Sequence, residues 1–265
     1  MYSAATAGAV ASPVKPLLLT TELARDDEDV RLSQRLRHRV FAEEMGARLD
    51  CPDAGMDVDR FDPHCHHLLV RNAETGEVLG STRILLQREV RKTGGFYSET
   101  EFDLGRILTC TKSFMEIGRT CVHPDYRSGA VIGMLWAGIA GFMNANQVDY
   151  LMGCASIPLD LGADHVHAIM AELRNKHYAP VTRRAFPKVA LPEMQNGHQG
   201  RIDMPALLRA YLRVGVEVCG EPHWDRDFNV ADVFVLLDRR RINERYLRHF
   251  VKGAPGAADT DRAAA

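Results

Sequence analysis

None of the six cysteines, at 51, 65, 110, 121, 154 and 219, forms a C-x-x-C pair. That spacing offers neither a zinc ribbon nor a disulfide framework, and reduced thiols in a cytoplasmic protein are the simplest reading. Charge of one sign is also missing. The 33 Lys and Arg nearly balance 35 Asp and Glu, leaving a net charge of −2, so no basic surplus points to nucleic acid or to an anionic membrane. The longest apolar run, 131–143, falls short of the roughly 20 residues that span a bilayer. The N-terminus has no basic leader, and Pro13, Lys15 and Pro16 interrupt its apolar stretch, so a signal peptide is not expected. There is no G-x-G-x-x-G and no internal repeat, so a dinucleotide-binding βαβ unit is not expected.

What remains is a 265-residue chain with 46% apolar residues, enough to bury one large core. Ala, Pro and Thr dominate the start, and Ala, Gly and Asp dominate the end. We expect a flexible segment over 1–24, a single domain with a C-terminal elaboration over 25–252, and a disordered tail over 253–265. Leu32, Leu36 and Val40 repeat at helical spacing and predict a helix over 27–46, with Arg37 and Phe41 sharing a second strip. Residues 47–65 have no period and many Asp and Gly, which predicts a loop. Two strand-like runs, 67–71 and 78–86, flank the turn-like 72–77 and predict a hairpin. Ser98 and Glu101 have capping-box spacing for a short helix. Further on, strands are expected at 114–122, 150–156, 214–219 and 231–237. Helices are expected at 130–146, 161–177, 205–213 and 243–251, with an irregular stretch at 178–204. This order predicts a mixed α/β (α+β) layout around one twisted sheet flanked by helices.

Five patterns could carry chemistry. Asp59-x-x-Asp62 puts two carboxylates in the loop, suited to an ammonium group, a metal or acid–base work, but also common in plain turns. Arg83 lies on the second hairpin strand, where most arginines simply face solvent. Glu116 and Arg119 are three apart on a strand, so they face opposite sides unless a bulge adds a residue, and Gly118 between them would tolerate one. His64-Cys65-His66-His67 resembles a metal cluster, but adjacent residues rarely converge on one ion. Residues 122–129 link a strand to a helix N-terminus, a place where backbone N–H groups can hold phosphate. Arg174, Lys176, Arg183, Arg184 and Lys188 are either solvated charges or a surface for an acidic partner.

Taken in order, the runs 36–44 (LRHRVFAEE), 59–62 (DRFD), 80–83 (GSTR) and 116–119 (EIGR) resemble the acyl-homoserine-lactone synthases, members of the GNAT-like superfamily. The runs 96–104 (FYSETEFDL), 135–139 (LWAGI), 153–156 (GCAS), 211–215 (YLRVG) and 225–234 (DRDFNVADVF) are similar to a sister branch, the ornithine N-alpha-acyltransferases of ornithine-lipid synthesis. The resemblance spans roughly 27–250. It implies a GNAT-like acyltransferase fold and transfer of a 3-hydroxyacyl group from acyl carrier protein to the α-amine of L-ornithine, giving lyso-ornithine lipid. It carries over Arg37, Phe41, Asp59, Asp62 and Arg83 as substrate-binding residues and Glu116 and Arg119 as catalytic ones. On this reading Glu116 takes the amine proton, directly or through water. Asp59 and Asp62 hold ammonium groups, and Arg83 or Arg119 holds the carboxylate. Bulged N–H groups near 118–122 polarise the thioester. Cys154 either protonates the leaving thiolate or is a structural thiol. No metal or cofactor is called for. Residues 127–133 (RSGAVIG) lack the pyrophosphate-loop spacing of acetyl-CoA-dependent relatives, which favours a carrier protein's single phosphodiester. The lipid product allows peripheral contact at the inner membrane. The alternatives are another acceptor such as glycine or glutamine, a homoserine-lactone synthase, or an inactive GNAT-fold protein that binds carrier protein or lipid. The long extension after 178 speaks against the synthase, and the complete acidic and basic set speaks against the inactive protein.

Overall fold

The computed structural model describes residues 17–49, 55–194, 200–243 and 245. Strand β1 (Leu19–Leu23) opens the fold. Helix α1 (Asp27–His38) begins at Asp26, whose side chain accepts the Asp29 N–H, and its acidic first turn and basic last turn suit the helix dipole. It runs on as a wider π-helical segment, Arg39–Glu44. The single helix expected over 27–46 is therefore two helical forms joined end to end. The hairpin follows as β2 (His66–Asn72) and β3 (Val78–Leu86). Short elements α2 (Val90–Thr93), α3 (Ser98–Glu101), β4 (Phe102–Asp103) and α4 (Gly105–Leu108) lead to β5 (Phe114–Val122). Then come α5 (Ala130–Ala145), β6 (Tyr150–Pro158) and α6 (Ala163–Lys176). The chain continues through β7 (Phe186–Pro187), α7 (Ala206–Val214), β8 (Glu217–Val218), β9 (His223–Asp225) and β10 (Val230–Asp238).

The main sheet runs β1-β2-β3-β5-β6-β10-β8, with β9 also on β10. Its pairs are antiparallel except β5–β6, which is parallel. The mixed sheet is the one expected. Successive side chains of β2 point to opposite faces. Accordingly Leu68 and Val70 join a core with Val131, Leu135 and Ile139 of α5, while Leu69 packs with Leu36 and Val40 from the α1 side. The two helices thus cover opposite faces of the hairpin. Residues of α6 and α7 extend the first core, and Phe96, Phe102, Leu104 and Ile107 from the segment after β3 extend the opposite face beside Phe234 and Leu236.

Several expectations change. Residues 19–23, placed in a flexible segment, form an edge strand in register with β2 from Leu19↔Asn72 to Leu23↔Leu68. Its Thr-rich sequence is given order by pairing and by α5, which comes so close at Gly138 that a β-carbon there would lie 2.6 Å from Thr21 Cγ2. The strand expected over 214–219 shrinks to two residues, because α7 runs to Val214 and Gly215 closes it in the left-handed region (φ 111). The short helix at 98–101 forms without a capping box: Ser98 is its first residue, and its N–H donates to Glu116 instead. The helix expected over 243–251 and the tail over 253–265 lie outside the described residues, apart from Asn243 and Arg245.

Candidate active site

Strands β5 and β6 pair in parallel only at Phe114↔Tyr150, Met115↔Leu151 and Glu116↔Met152. Beyond that point the two strands separate, and no described strand fills the gap. The side of β5 that faces the gap leaves main-chain groups without a ladder partner. Gly153 marks the fork: a β-carbon there would overlap the carbonyl oxygen of Ile117. A cavity of about 1220 Å³ opens between the arms, lined by 117–122 of β5 and by Cys154, Ser156 and Pro158 of β6. Much of its wall is apolar, including Leu19, Val40, Ile132, Met134 and Leu207. One end is polar, formed by Tyr97, Arg119, Asp225 and Asp232. Ser128, Gly129 and Ala130, at the N-terminus of α5, also line it.

The expected bulge is present. Ser81 pairs with Cys121, but Arg83 pairs with Gly118, so Arg119 and Thr120 together oppose Thr82. The residue that takes the left-handed conformation is Arg119 (φ 52), not Gly118. A left-handed non-glycine residue costs roughly 1 kcal/mol or more, and here the side chain is held on several sides. Its Nε donates to Asp57 Oδ2 at 3.0 Å, and its guanidinium lies 5.3 Å from the centre of the Tyr97 ring and 4.9 Å from that of Phe228. Tyr97 touches both members of the expected pair: its ring lies by the Arg119 guanidinium, and its N–H donates to Glu116 Oε2 at 2.7 Å.

Five of the seven expected residues meet in one charged web. Arg37 donates from Nε to Asp57 Oδ2 and from Nη1 to Asp62 Oδ1, each at 2.8 Å. Arg83 Nη1 reaches Asp59 Oδ1 at 2.5 Å and Asp62 Oδ1 at 2.8 Å. Arg119 Nη2 stands 3.4 Å from Asp59 Oδ2, and Gln34 donates to Asp62 Oδ2 at 3.1 Å. Burial opposes charge on Asp62, but Arg37 and Arg83 outweigh it and hold the carboxyl well below the usual range. Asp59 is lowered in the same way, against its burial, chiefly by Arg83. This web pins the 57–62 loop against β3 and β5.

The cavity wall divides the set. Phe41, Arg83 and Arg119 line the cavity; Arg37, Asp59, Asp62 and Glu116 do not. Arg37 is 0% exposed and every carboxylate it meets is internal, so it braces the loop. Phe41 stands apart from the web, edge-on to Phe228 at 5.9 Å. Glu116 is buried, and its two oxygens accept the Tyr97 and Ser98 N–H groups at 2.7 Å each. Burial pushes its pKa up despite those bonds. A second, much smaller pocket of about 10 Å³ touches Glu116, Arg83, Tyr97 and Gly118, and the last three also line the cavity.

Other patterns resolve differently. His66 stacks near Phe142, while His67 meets Ser33 and the Asp62 carbonyl; neighbours on a strand point to opposite faces, and the 64–67 run does not converge. Cys154 lines the cavity and its thiol donates to Ser98 Oγ at 3.4 Å, and burial pushes its pKa well up, so it stays a neutral thiol. The basic residues after 173 are engaged within the chain. Arg174 pairs with Glu221, Lys176 with Glu172 and Arg183 with Glu217. Lys188 caps the Glu99 carbonyl and Arg184 stacks on Tyr178.

Sequence reasoning passed over Asp57, Tyr97, Glu101, Asp225 and Asp232. Asp232 offered a signal, as an acid inside the otherwise apolar strand 230–237. Asp57 shared the alternating acids of the 57–62 loop, but nothing local distinguishes it from a turn residue.

Comparison with known proteins bears on the family and the fold. Residues 36–137 match the Acetyltransferase (GNAT) domain family. Among solved structures, the acyl-homoserine-lactone synthase LasI aligns with a TM-score of 0.55 at 14% identity, covering 88% of this chain and 96% of that one. BjaI, a CoA-dependent acyl-homoserine lactone synthase with SAM and isopentyl-CoA, aligns at 0.51 and 19%, covering 86% and 84%. These establish a shared fold. The L-ornithine N(alpha)-acyltransferase of Rhizobium meliloti is 32% identical over 264 residues, 91% of this chain and 89% of the relative. That of Rhodobacter capsulatus is 33% identical over 255 residues, 91% and 98% of the two chains. With identity at that level along nearly its whole length, the chain belongs to the L-ornithine N(alpha)-acyltransferase family, built on the GNAT fold.

Proposed function

We propose that the protein transfers a 3-hydroxyacyl group from acyl carrier protein to the α-amine of L-ornithine, releasing lyso-ornithine lipid. The observation that carries this reading is the forked cavity, with apolar walls that suit an acyl chain and an end lined by one arginine and two carboxylates that suits an amino acid. Its volume exceeds the few hundred Å³ of many small-molecule sites, as a chain, its pantetheine arm and an acceptor together require. The N-terminus of α5 meets the single phosphodiester of the arm. Arg209 and Arg213 of α7, both at the cavity, receive the acidic carrier protein.

The thioester carbonyl lies along the unpaired edge of β5, where bulged main-chain N–H groups stabilise the oxyanion. Arg119 binds the acceptor carboxylate: both arginines meet two aspartates and both line the cavity, but the Arg119 side chain is 13% exposed against 4% for Arg83. The α-ammonium must lose a proton before attack. Glu116 does not reach the cavity, so the proton passes through a water in the small pocket, which is near the smallest volume that holds one, to a carboxylate whose pKa burial has raised. The amine nitrogen then bonds to the acyl carbon, the C–S bond breaks, and the thiolate leaves with the proton that the nitrogen sheds as the amide forms. The amphipathic product departs at the cytoplasmic face of the inner membrane.

A transfer assay tests this. The purified protein, 3-hydroxyacyl carrier protein and a panel of amino acids with ornithine are combined, and products are read by mass spectrometry. N-acyl ornithine is the expected product. A different N-acyl amino acid would replace the acceptor in this reading, and no product from folded protein with any acceptor would refute it.

A further inference from the structure

Glu101, Asp225 and Asp232 come from three separate elements, α3, β9 and β10, and one oxygen from each lies within 4.8 Å of the others. Two of these residues line the polar end of the cavity. Glu101 lies against these two carboxylates but is not itself part of the cavity lining. It is 4% exposed, and neither of its oxygens has a hydrogen-bond partner in good geometry, although Tyr97 and Cys154 stand beside it. Asp232, also 4% exposed, accepts the Ser156 hydroxyl at 2.6 Å, while Asp225 Oδ1 accepts the Asp227 and Phe228 N–H groups. Leaving buried acceptors so poorly paired is costly, a cost that a bound proton or a cationic donor relieves.

Resting on the reading above that the acceptor is ornithine, we infer that Glu101, Asp225 and Asp232 form the subsite for the acceptor's side-chain ammonium. An alkylammonium offers three N–H donors to three acceptors. Oxygens tetrahedrally arranged at hydrogen-bond distance from one nitrogen sit about 4.6 Å apart, which matches the span of the cluster. Arg119 neighbours Asp232 closely enough to stabilise its charge, so a carboxylate site and an ammonium site lie side by side, as the two ends of a diamino acid need. The assignment moves ammonium recognition from Asp59 and Asp62, whose oxygens serve Arg37, Arg83 and Arg119, to carboxylates at the cavity. The burial of Glu101 and Asp232 makes both hold protons more tightly than ordinary carboxyls, so ligand entry expels protons from the cluster.

The experiment compares L-ornithine with L-norvaline, which has hydrogen in place of the terminal amine, as acceptors for the same acyl carrier protein donor. The wild-type enzyme should favour ornithine by roughly 10,000-fold in kcat/KM, since a site built for hydrogen bonds rejects the analogue lacking them. In E101Q and D232N that ratio should collapse toward one. A wild-type enzyme that uses both acceptors equally overturns the inference without recourse to any variant. Folded variants that keep the wild-type ratio also overturn it, while ornithine acylation itself stands. If the wild type acylates neither compound, the acceptor reading fails and takes this subsite with it. Titration with MnCl2 alone separates the other occupant: tight binding lost in E101Q would overturn the ammonium assignment in favour of a metal site.

Discussion

Gly153 of β6 lies against the carbonyl of Ile117 of β5, so close that a β-carbon would overlap the oxygen. This contact sits one residue past the last parallel pair, Glu116↔Met152, and sets where the strands part. Gly153→Ala should push the arms apart at their root. We expect a loss of about 1–3 kcal/mol in urea unfolding and a rise in KM for the acyl donor. Unchanged stability and KM would mean the fork does not depend on this contact.

Arg37 is enclosed by Asp57 and Asp62. Removing it takes one of two arginine partners from each buried carboxylate, since Arg119 still meets Asp57 and Arg83 still meets Asp62, and should cost up to about 3–5 kcal/mol, the range for fully breaking a buried pair. Arg37→Ala should therefore show its main effect in denaturant unfolding, with the midpoint shifted and activity lost through loosening of the 57–62 loop. A variant of full stability that loses only acceptor binding would give Arg37 a direct place in substrate recognition.

Burial, reinforced by Asp225 against the pull of Ser156 and Arg119, raises the Asp232 pKa from 3.8 to about 7. The folded protein thus binds a proton that the unfolded chain releases. Stability from this residue is intact below the unfolded pKa and is lost as pH climbs from 3.8 toward about 7. Asp232→Asn removes the loss, and should stabilise the fold at pH 8 while changing little at pH 4. Thermal melts at both pH values check this. Equal shifts at both would detach the effect from ionisation. A gain in stability with a loss of activity is the usual mark of a residue kept for function.

Glu116→Gln presents an amide nitrogen to one of the two N–H groups of Tyr97 and Ser98, so the substitution should cost about 1–3 kcal/mol of stability as well as activity. If Glu116 receives the amine proton through the small pocket, kcat should fall about 100-fold or more. The limb of kcat/KM that rises with pH above the ordinary glutamate range should vanish. Persistence of that limb in the variant would leave Glu116 only the task of holding Tyr97.

Charge reversal at Arg209 and Arg213 tests donor docking. The double variant Arg209→Glu and Arg213→Glu should raise KM for acyl carrier protein about tenfold at low salt, with the difference shrinking as salt screens the field. Short acyl-pantetheine donors should be unaffected. An equal effect on both donors would place the arginines in chain binding.

Much of the architecture was legible because periodicity reports burial. The hairpin, β5 and α5 follow from alternation or apolar runs that one buried face imposes. The edge strand β1 escaped because its Thr-rich stretch has no pattern of its own and takes its order from β2 and α5. The two-residue strands escaped because pairing, not composition, makes them. At the site, the spacing of Glu116 and Arg119 with Gly118 between them was enough to anticipate a bulge. It could not reveal that Arg119 would carry the left-handed turn, because that depends on Asp57, Tyr97 and Phe228 gripping its side chain from elsewhere in the chain.

The amino-acid sequence by itself determined the family, the order of the main elements and a set of acids and arginines, since these depend on residue type and local spacing. Only the tertiary structure decided which of those charges meet each other and which meet a ligand. Arg37 pairs with Asp62, and Arg83 pairs with both Asp59 and Asp62, so these two acids are spent on arginines behind the wall, whereas Asp225 and Asp232, remote in sequence from that web, reach the cavity with Glu101 beside them. The physical reason is that a charge's role depends on its partners and its solvent, and both are set by strands that fork and pack long distances apart along the chain.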